Sequence, residues 1–137
     1  MPVEAGGEEA VLARAVRLIL EGKPEEALLV LSKHYGIPPP RLEVGLPKRC
    51  LHALGCYVPS RRTIYVRSSA EYRDPFIILH EYYHHLRWRR GKHRGTEKHA
   101  DQYAIRAIKI YNNIVTGGRD PHGKQQPHQA RRKNLDL

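Results

Sequence analysis

The sequence predicts an α+β domain, and three observations carry that prediction. Apolar residues recur at helical spacing in four segments, two near the start of the chain and two past its middle. Between these pairs lie short alternating stretches cut by proline and glycine, the pattern of brief strands. The length of 137 residues suits one domain, which would bury about two-thirds of the surface that its unfolded chain exposes.

From Ala10 to Glu21 the series Val11, Leu12, Ala15, Val16, Leu18 and Ile19 fits a helix that Gly22 closes. Pro24 opens a second helix, with Ala27, Leu28, Leu31 and Tyr35 on one face and Gly36 as its stop. Together they make a helical hairpin over about 10–35. Pro38-Pro39-Pro40 is an extended connector, and Leu42-Glu43-Val44 a brief strand before Pro47 interrupts it. Leu51 to Tyr57, the turn Pro59-Ser60-Arg61-Arg62 and Thr63 to Arg67 read as a β-hairpin. Ile64 and Val66 take one face of its second strand and Thr63, Tyr65 and Arg67 the other, whose charge suits an edge.

Asp74-Pro75 starts the next helix, because the aspartate side chain can accept from the first free N–H groups and proline is tolerated at the first helical position. That helix runs to about Arg90, with Phe76, Leu79, Tyr83 and Leu86 as its core stripe. Gly91 to Gly95 is a basic loop, Thr96 a helix cap, and the last helix carries Ala100, Tyr103, Ala104, Ala107, Ile108 and Tyr111 on one stripe. Apolar periodicity ends after Val115, so 1–116 reads as a single domain and 117–137 as a basic, mobile tail.

Composition narrows the class. Twenty-four Lys and Arg against fourteen Asp and Glu leave a net charge of +10, which points to nucleic acid or another acidic partner. The chain contains no apolar run of the roughly eighteen residues that a membrane span needs, and its acidic start lacks the layout of a secretory signal. A soluble, cytoplasmic protein is expected. In a reducing cytosol Cys50 and Cys56 read as free thiols, with one small bridged loop as the alternative.

The chemistry concentrates in His80-Glu81-Tyr82-Tyr83-His84. Residues four apart share a helix face, so two imidazoles can converge on one ion. Glu81 projects about 100° around from His80, so it can act on water beside the ion without ligating it, as a general base does. Two histidines leave a catalytic zinc site one protein ligand short. Glu97, at the start of the last helix, can supply the third, and Asp101, one turn on, can hold the far nitrogen of His80. His93, His99 and Asp101 remain alternative third ligands. His85 points away from the pair and reads as a solvent-facing or hydrogen-bonding residue. Tyr103, Tyr111 and Tyr72 are the candidate oxyanion partners, although a tyrosine on an apolar stripe is more often core.

His80-Glu81-Tyr82-Tyr83-His84 followed by Glu97-x-x-Ala100-Asp101-x-Tyr103-Ala104 resembles the gluzincin metallopeptidases, above all the compact ImmA/IrrE-type proteins and archaeal minigluzincins. The resemblance spans Cys56 to about Ile108, including the Gly55-Cys56-Tyr57…Thr63-Ile64-Tyr65-Val66 hairpin. It implies a minimal zincin-like fold, one Zn2+ per chain bound by His80, His84 and Glu97, and hydrolysis of peptide bonds in a protein or peptide substrate with Glu81 as base. The same resemblance implies that the strand Thr63 to Arg67 lines the cleft and pairs with extended substrate. Twelve residues separate His84 from Glu97, a spacing that fits only a minimal gluzincin. A metzincin would need glycine and histidine where this chain has Arg87 and Arg90.

Two further expectations concern partners. His122 and His128 in the tail, or a second copy of the chain in a homo-oligomer, could cover the cleft and keep the enzyme latent. The basic loop Arg87-Trp88-Arg89-Arg90-Gly91-Lys92-His93-Arg94 could grip nucleic acid or an acidic peptide, or could simply be a solvated helix end with Trp88 anchored in the core. The alternative to a peptidase is a nucleic-acid-associated protein with a structural or regulatory zinc site. A protease acting on nucleic-acid-bound proteins would combine the two.

Overall fold

A computed structural model describes residues 7–89 and 97–117. Thr96, the basic loop beyond Arg89 and the tail from 118, with the expectations placed on them, lie outside the described residues. The fold is α+β, with five helices and a three-stranded mixed sheet among the described residues. Helix α1 (Gly7–Leu20) and helix α2 (Pro24–Tyr35) form the expected hairpin, joined through Gly22 at φ +83°, a backbone angle that favours glycine. Gly36 ends α2 in the left-handed conformation, its N–H reaching back to Lys33 and the next N–H to Ser32.

Strands β1 (Arg41–Val44), β2 (Gly55–Val58) and β3 (Thr63–Val66) stand in the order β1-β3-β2. The hairpin pairing of β2 with β3 is antiparallel, as its turn residues predict. Its first strand is shorter than the apolar run suggests, because a 3-10 turn over Lys48–Cys50 and tight turns after it use up the residues ahead of Gly55. The expectation that Thr63 to Arg67 is an edge strand is corrected. Strand β1 pairs parallel on the other side of β3, and all four residues of β3 are buried. Strand β2 stands at the sheet edge instead.

A short helix α3 (Ser69–Tyr72), capped by Ser68, leads into helix α4 (Pro75–Arg89). Asp74 Oδ1 accepts from the N–H of Phe76 at 2.9 Å and of Ile77 at 3.4 Å, as a helix start requires. Helix α4 is buried on more sides than a single stripe: besides Phe76, Leu79 and Leu86, the residues Ile77, Ile78, Tyr82 and His85 are inside. It lies between the sheet, through β2 and β3, and helices α1 and α5 (Glu97–Val115). A helix apolar on most sides suits that central place, and it leaves only a narrow strip, with His80 and His84, facing outward.

Two polar clusters tie the helices together. Tyr82, fully buried, shares a 3.1 Å hydrogen bond with Ser32. Tyr35 donates to Glu8 at 2.6 Å, so Tyr103, 3.0 Å from the Tyr35 oxygen, donates to Tyr35 in turn. Arg106 completes the link to Glu8 at 3.2 Å. Among the described residues, no helix is long and apolar enough to cross a membrane.

Candidate metal centre

His80 and His84 lie one turn apart on α4, and Glu97 opens α5, which packs along α4. The packing brings the three side chains to one point. His80 Nε2 is 3.3 Å from His84 Nε2 and 3.0 Å from Glu97 Oε1, while Glu97 Oε2 is 3.1 Å from His84 Nε2. Two nitrogens bound to a tetrahedral ion at 2.0–2.1 Å would stand about 3.3 Å apart. The three residues therefore have the spacing of a metal-ligand set, and they are a group that could hold a metal ion.

The proton inventory points the same way. His80 Nδ1 lies 2.9 Å from Asp101 Oδ1, and a carboxylate accepts, so Nδ1 carries the hydrogen. In a neutral ring this leaves a lone pair on Nε2, the atom that can ligate. Burial, and next the charge of His80, hold the His84 imidazole below its ordinary range, with Glu97 opposing; the neutral form thus favoured is the one that ligates. The side chain of Glu97 is 81% exposed, so the site is open on that side.

Glu81 is buried beside this group without belonging to it. Burial pushes its carboxyl up to about 7; Glu97 and Asp101 add to the shift and His80 opposes it. Its neighbour across the gap is Gly55, the first residue of β2. A Cβ there would stand 2.7 Å from Ile77 Cγ2, 3.3 Å from Glu81 Cγ and 3.5 Å from Glu81 Oε2. Only glycine allows the strand to come this close to the carboxylate.

The sites open into a cleft of about 570 Å3, walled by α4 on one side and by β2 and the turn before it on the other. The bond from Arg67 N–H to Leu54 O, 2.9 Å, fixes the alternation of the β2–β3 ladder. Residues 54, 56 and 58 face β3, so the backbone N–H and C=O of Gly55 and Tyr57 turn toward the outer edge, where the cleft lies. Arg49, Arg87 and Trp88 also line it. Trp88 is 41% exposed, so its ring is not part of the core.

His85 is fully buried, which corrects its solvent-facing reading and leaves the hydrogen-bonding one. Its Nε2 is 2.8 Å from the carbonyl of Pro38, which only accepts, so in a neutral ring Nδ1 accepts from the Tyr57 hydroxyl at 2.7 Å. This chain fastens the cleft strand to α4. Cys50 and Cys56 are joined as a disulfide, not free thiols: the turn over Lys48–Cys50 folds back on β2 and brings their Cα atoms to 6.3 Å, within bridging range.

The three candidate oxyanion tyrosines are elsewhere. Tyr103 is 9% exposed and engaged with Tyr35; burial pushes its phenol well above the ordinary range. Tyr72 and Tyr111 pack partly buried against the core, and none of the three lines the cleft. Of the alternative third ligands, Asp101 is held by His80 Nδ1, His99 is exposed on α5 outside the converging group, and His93 lies outside the described residues. The roles of Gly55 and Tyr57, and the partners of His85, were missed from the sequence. The one available signal was a glycine opening a strand two residues before a tyrosine.

Comparison with protein-family models, with curated proteins and with solved structures finds no match for the chain.

Proposed function

We propose that the protein is a zinc-dependent metalloendopeptidase of the compact gluzincin type, with a minimal zincin-like fold. The observation that carries this reading is the convergence of His80, His84 and Glu97 on one point, with Glu81 buried beside them but outside the set. Two imidazoles and one carboxylate suit zinc, and three protein ligands leave a fourth position open, as catalytic sites do. Zinc held there would polarise a carbonyl and acidify water.

The chain's own residues do the rest. Asp101 fixes the tautomer and direction of the His80 ring. The outward-turned backbone of Gly55 and Tyr57 suits an extended peptide laid along β2. This role passes to β2 from β3, which is paired on both sides. As water adds to the scissile carbonyl carbon, Glu81 takes its proton and then delivers it to the leaving nitrogen while the C–N bond breaks. In the metal-free protein burial pushes this carboxyl up to about 7, and a zinc ion beside it would favour the ionised form that accepts the proton. A latency device in the tail belongs to the same proposal, as does a cytoplasmic setting, against which the Cys50–Cys56 bridge counts. The nucleic-acid reading draws on the net charge of +10 and on exposed Trp88 beside Arg87.

Metal removal tests the proposal. Protein stripped with a chelator should not cleave a mixed peptide pool, and one equivalent of zinc should restore cleavage. Equal cleavage by stripped and reloaded protein, or none by either even after truncation behind Gly117 removes the tail, would overturn it.

A further inference from the structure

Apart from the residues of the centre itself, every charged side chain among the described residues that line the cleft is an arginine. Arg49 comes from the turn on the β2 side and Arg87 from α4, one turn past His84. Of the two carboxylates in the lining, Glu97 belongs to the converging group and Glu81 is buried beside it. We infer that the cleft selects peptides with an acidic side chain beside the scissile bond, with Arg49 and Arg87 as the specificity-determining residues; this rests on the peptidase reading above.

The backbone of Arg49 and the guanidinium of Arg87 each have a fixed place. The Cys50–Cys56 bridge fastens the turn bearing Arg49 to the cleft strand, so its exposed side chain starts from a fixed wall of the cleft. Arg87 lays its guanidinium over the Tyr83 ring, 5.6 Å from its centre, which directs the stem while keeping the charge. An extended peptide places its side chains alternately on opposite faces, with repeats of about 7 Å on each. Side chains flanking one bond therefore point opposite ways, and the long arginine stems let a guanidinium from either wall meet one of them. A guanidinium meets a carboxylate as a two-pronged donor, whereas a lysine in the same place would meet like charge at both walls. The net charge of +10 draws acidic chains toward this opening before contact. The peptide, not nucleic acid, is the occupant that the backbone edge of β2 favours, since strand pairing needs another backbone of the same kind.

The size of the effect follows from the exposure of the site. A solvent-facing ion pair discriminates by up to about 5-fold, so two arginines together should favour an acid over a neutral isostere by up to about 25-fold and over lysine by more still.

The test uses full-length, zinc-loaded protein and matched peptides that differ only in Glu, Gln or Lys on either side of one bond. The readouts are kcat/KM and, in zinc-loaded Glu81→Gln, binding of the same peptides labelled with a fluorophore. Wild type should prefer Glu on both readouts. Arg49→Gln and Arg87→Gln should each reduce the preference by up to about 5-fold, and the double change to Glu should reverse it toward Lys. Arg87→Lys, which keeps the charge if loss of the Tyr83 contact disturbs folding, should retain most of it. Zinc content should stay at about one per chain in every variant.

Cleavage and binding without acid preference, or a preference untouched in the double variant, would overturn the inference while leaving the peptidase reading intact. Binding that prefers Glu with no cleavage by wild type would do the reverse. A ten-residue oligothymidylate that binds wild type more tightly than the Glu peptide, and loses that affinity in the double variant, would assign the arginines to nucleic acid and overturn the inference.

Discussion

Glu81→Gln is expected to keep about one zinc per chain and to cut peptide hydrolysis by about 10²–10⁴-fold, the range that a positioned acid–base group supplies. Glutamine is nearly isosteric, fits the space beside Gly55, and cannot accept the proton. Glu81 stands outside the converging His80, His84 and Glu97 atoms, so its loss should leave metal binding alone. The substitution has a second consequence in protein stripped of metal. Folding raises the Glu81 pKa from 4.5 to about 7, so the folded state holds this proton more tightly than the unfolded state does. The stability gained is complete below about pH 4.5 and is lost as pH rises through about 7. Above that, the wild type carries a buried charge that the glutamine variant lacks. Urea unfolding in the presence of chelator should therefore find the two alike near pH 4 and the variant more stable at pH 8, by up to about 3 kcal/mol. Equal turnover in the two proteins would remove Glu81 from the chemistry.

Glu97→Ala is expected to weaken zinc binding by more than about 100-fold, since even residues that only orient a ligand contribute about 10–100-fold. Asp101→Ala should fall in that smaller range, because Asp101 touches only the far nitrogen of His80. The ordering of the two losses is the informative part. Glu97 Oε1 and Oε2 each face one imidazole nitrogen, at 3.0 and 3.1 Å, so its loss opens one side of the group. Asp101 fixes a ring that would otherwise turn, and the two imidazoles remain. Competition against a chelating dye reads both affinities. Unchanged affinity in Glu97→Ala would transfer the third place to His99, His93 or Asp101.

The helical half of the fold was legible because its punctuation is local. Gly22-x-Pro24, Gly36 and Asp74-Pro75 each carry their reason within a few residues, and the elements end there. The same holds for His80 and His84, whose facing is a property of one helix turn. That Glu97 and Asp101 meet them depends on α5 packing along α4, and the apolar stripe with Ala100, Ala104 and Ala107, small residues that let the helices approach, was the visible sign.

What was not legible is relational. Thr63–Val66 looks like an edge because nothing within it reports that Arg41–Val44, more than twenty residues earlier in sequence, will pair along its other side. His85 sits at a helix angle that solvent or a partner could occupy, and only the fold brings Tyr57 and the Pro38 carbonyl to it. Cys50 and Cys56 were judged by compartment, whereas their meeting is decided by the turn between them. Tyr103 shows the same limit from the other side: its stripe predicted burial, and burial with Tyr35 takes its hydroxyl away from the cleft.

The central claim is that one zinc sits among His80, His84 and Glu97 with a fourth position left open. X-ray absorption at the zinc edge of the zinc-loaded protein measures this most directly. The expected spectrum has four nitrogen or oxygen neighbours at about 2.0–2.1 Å with the outer-shell signature of two imidazoles. Sulfur at about 2.3 Å, a third imidazole, or six oxygen neighbours at longer distance would contradict it.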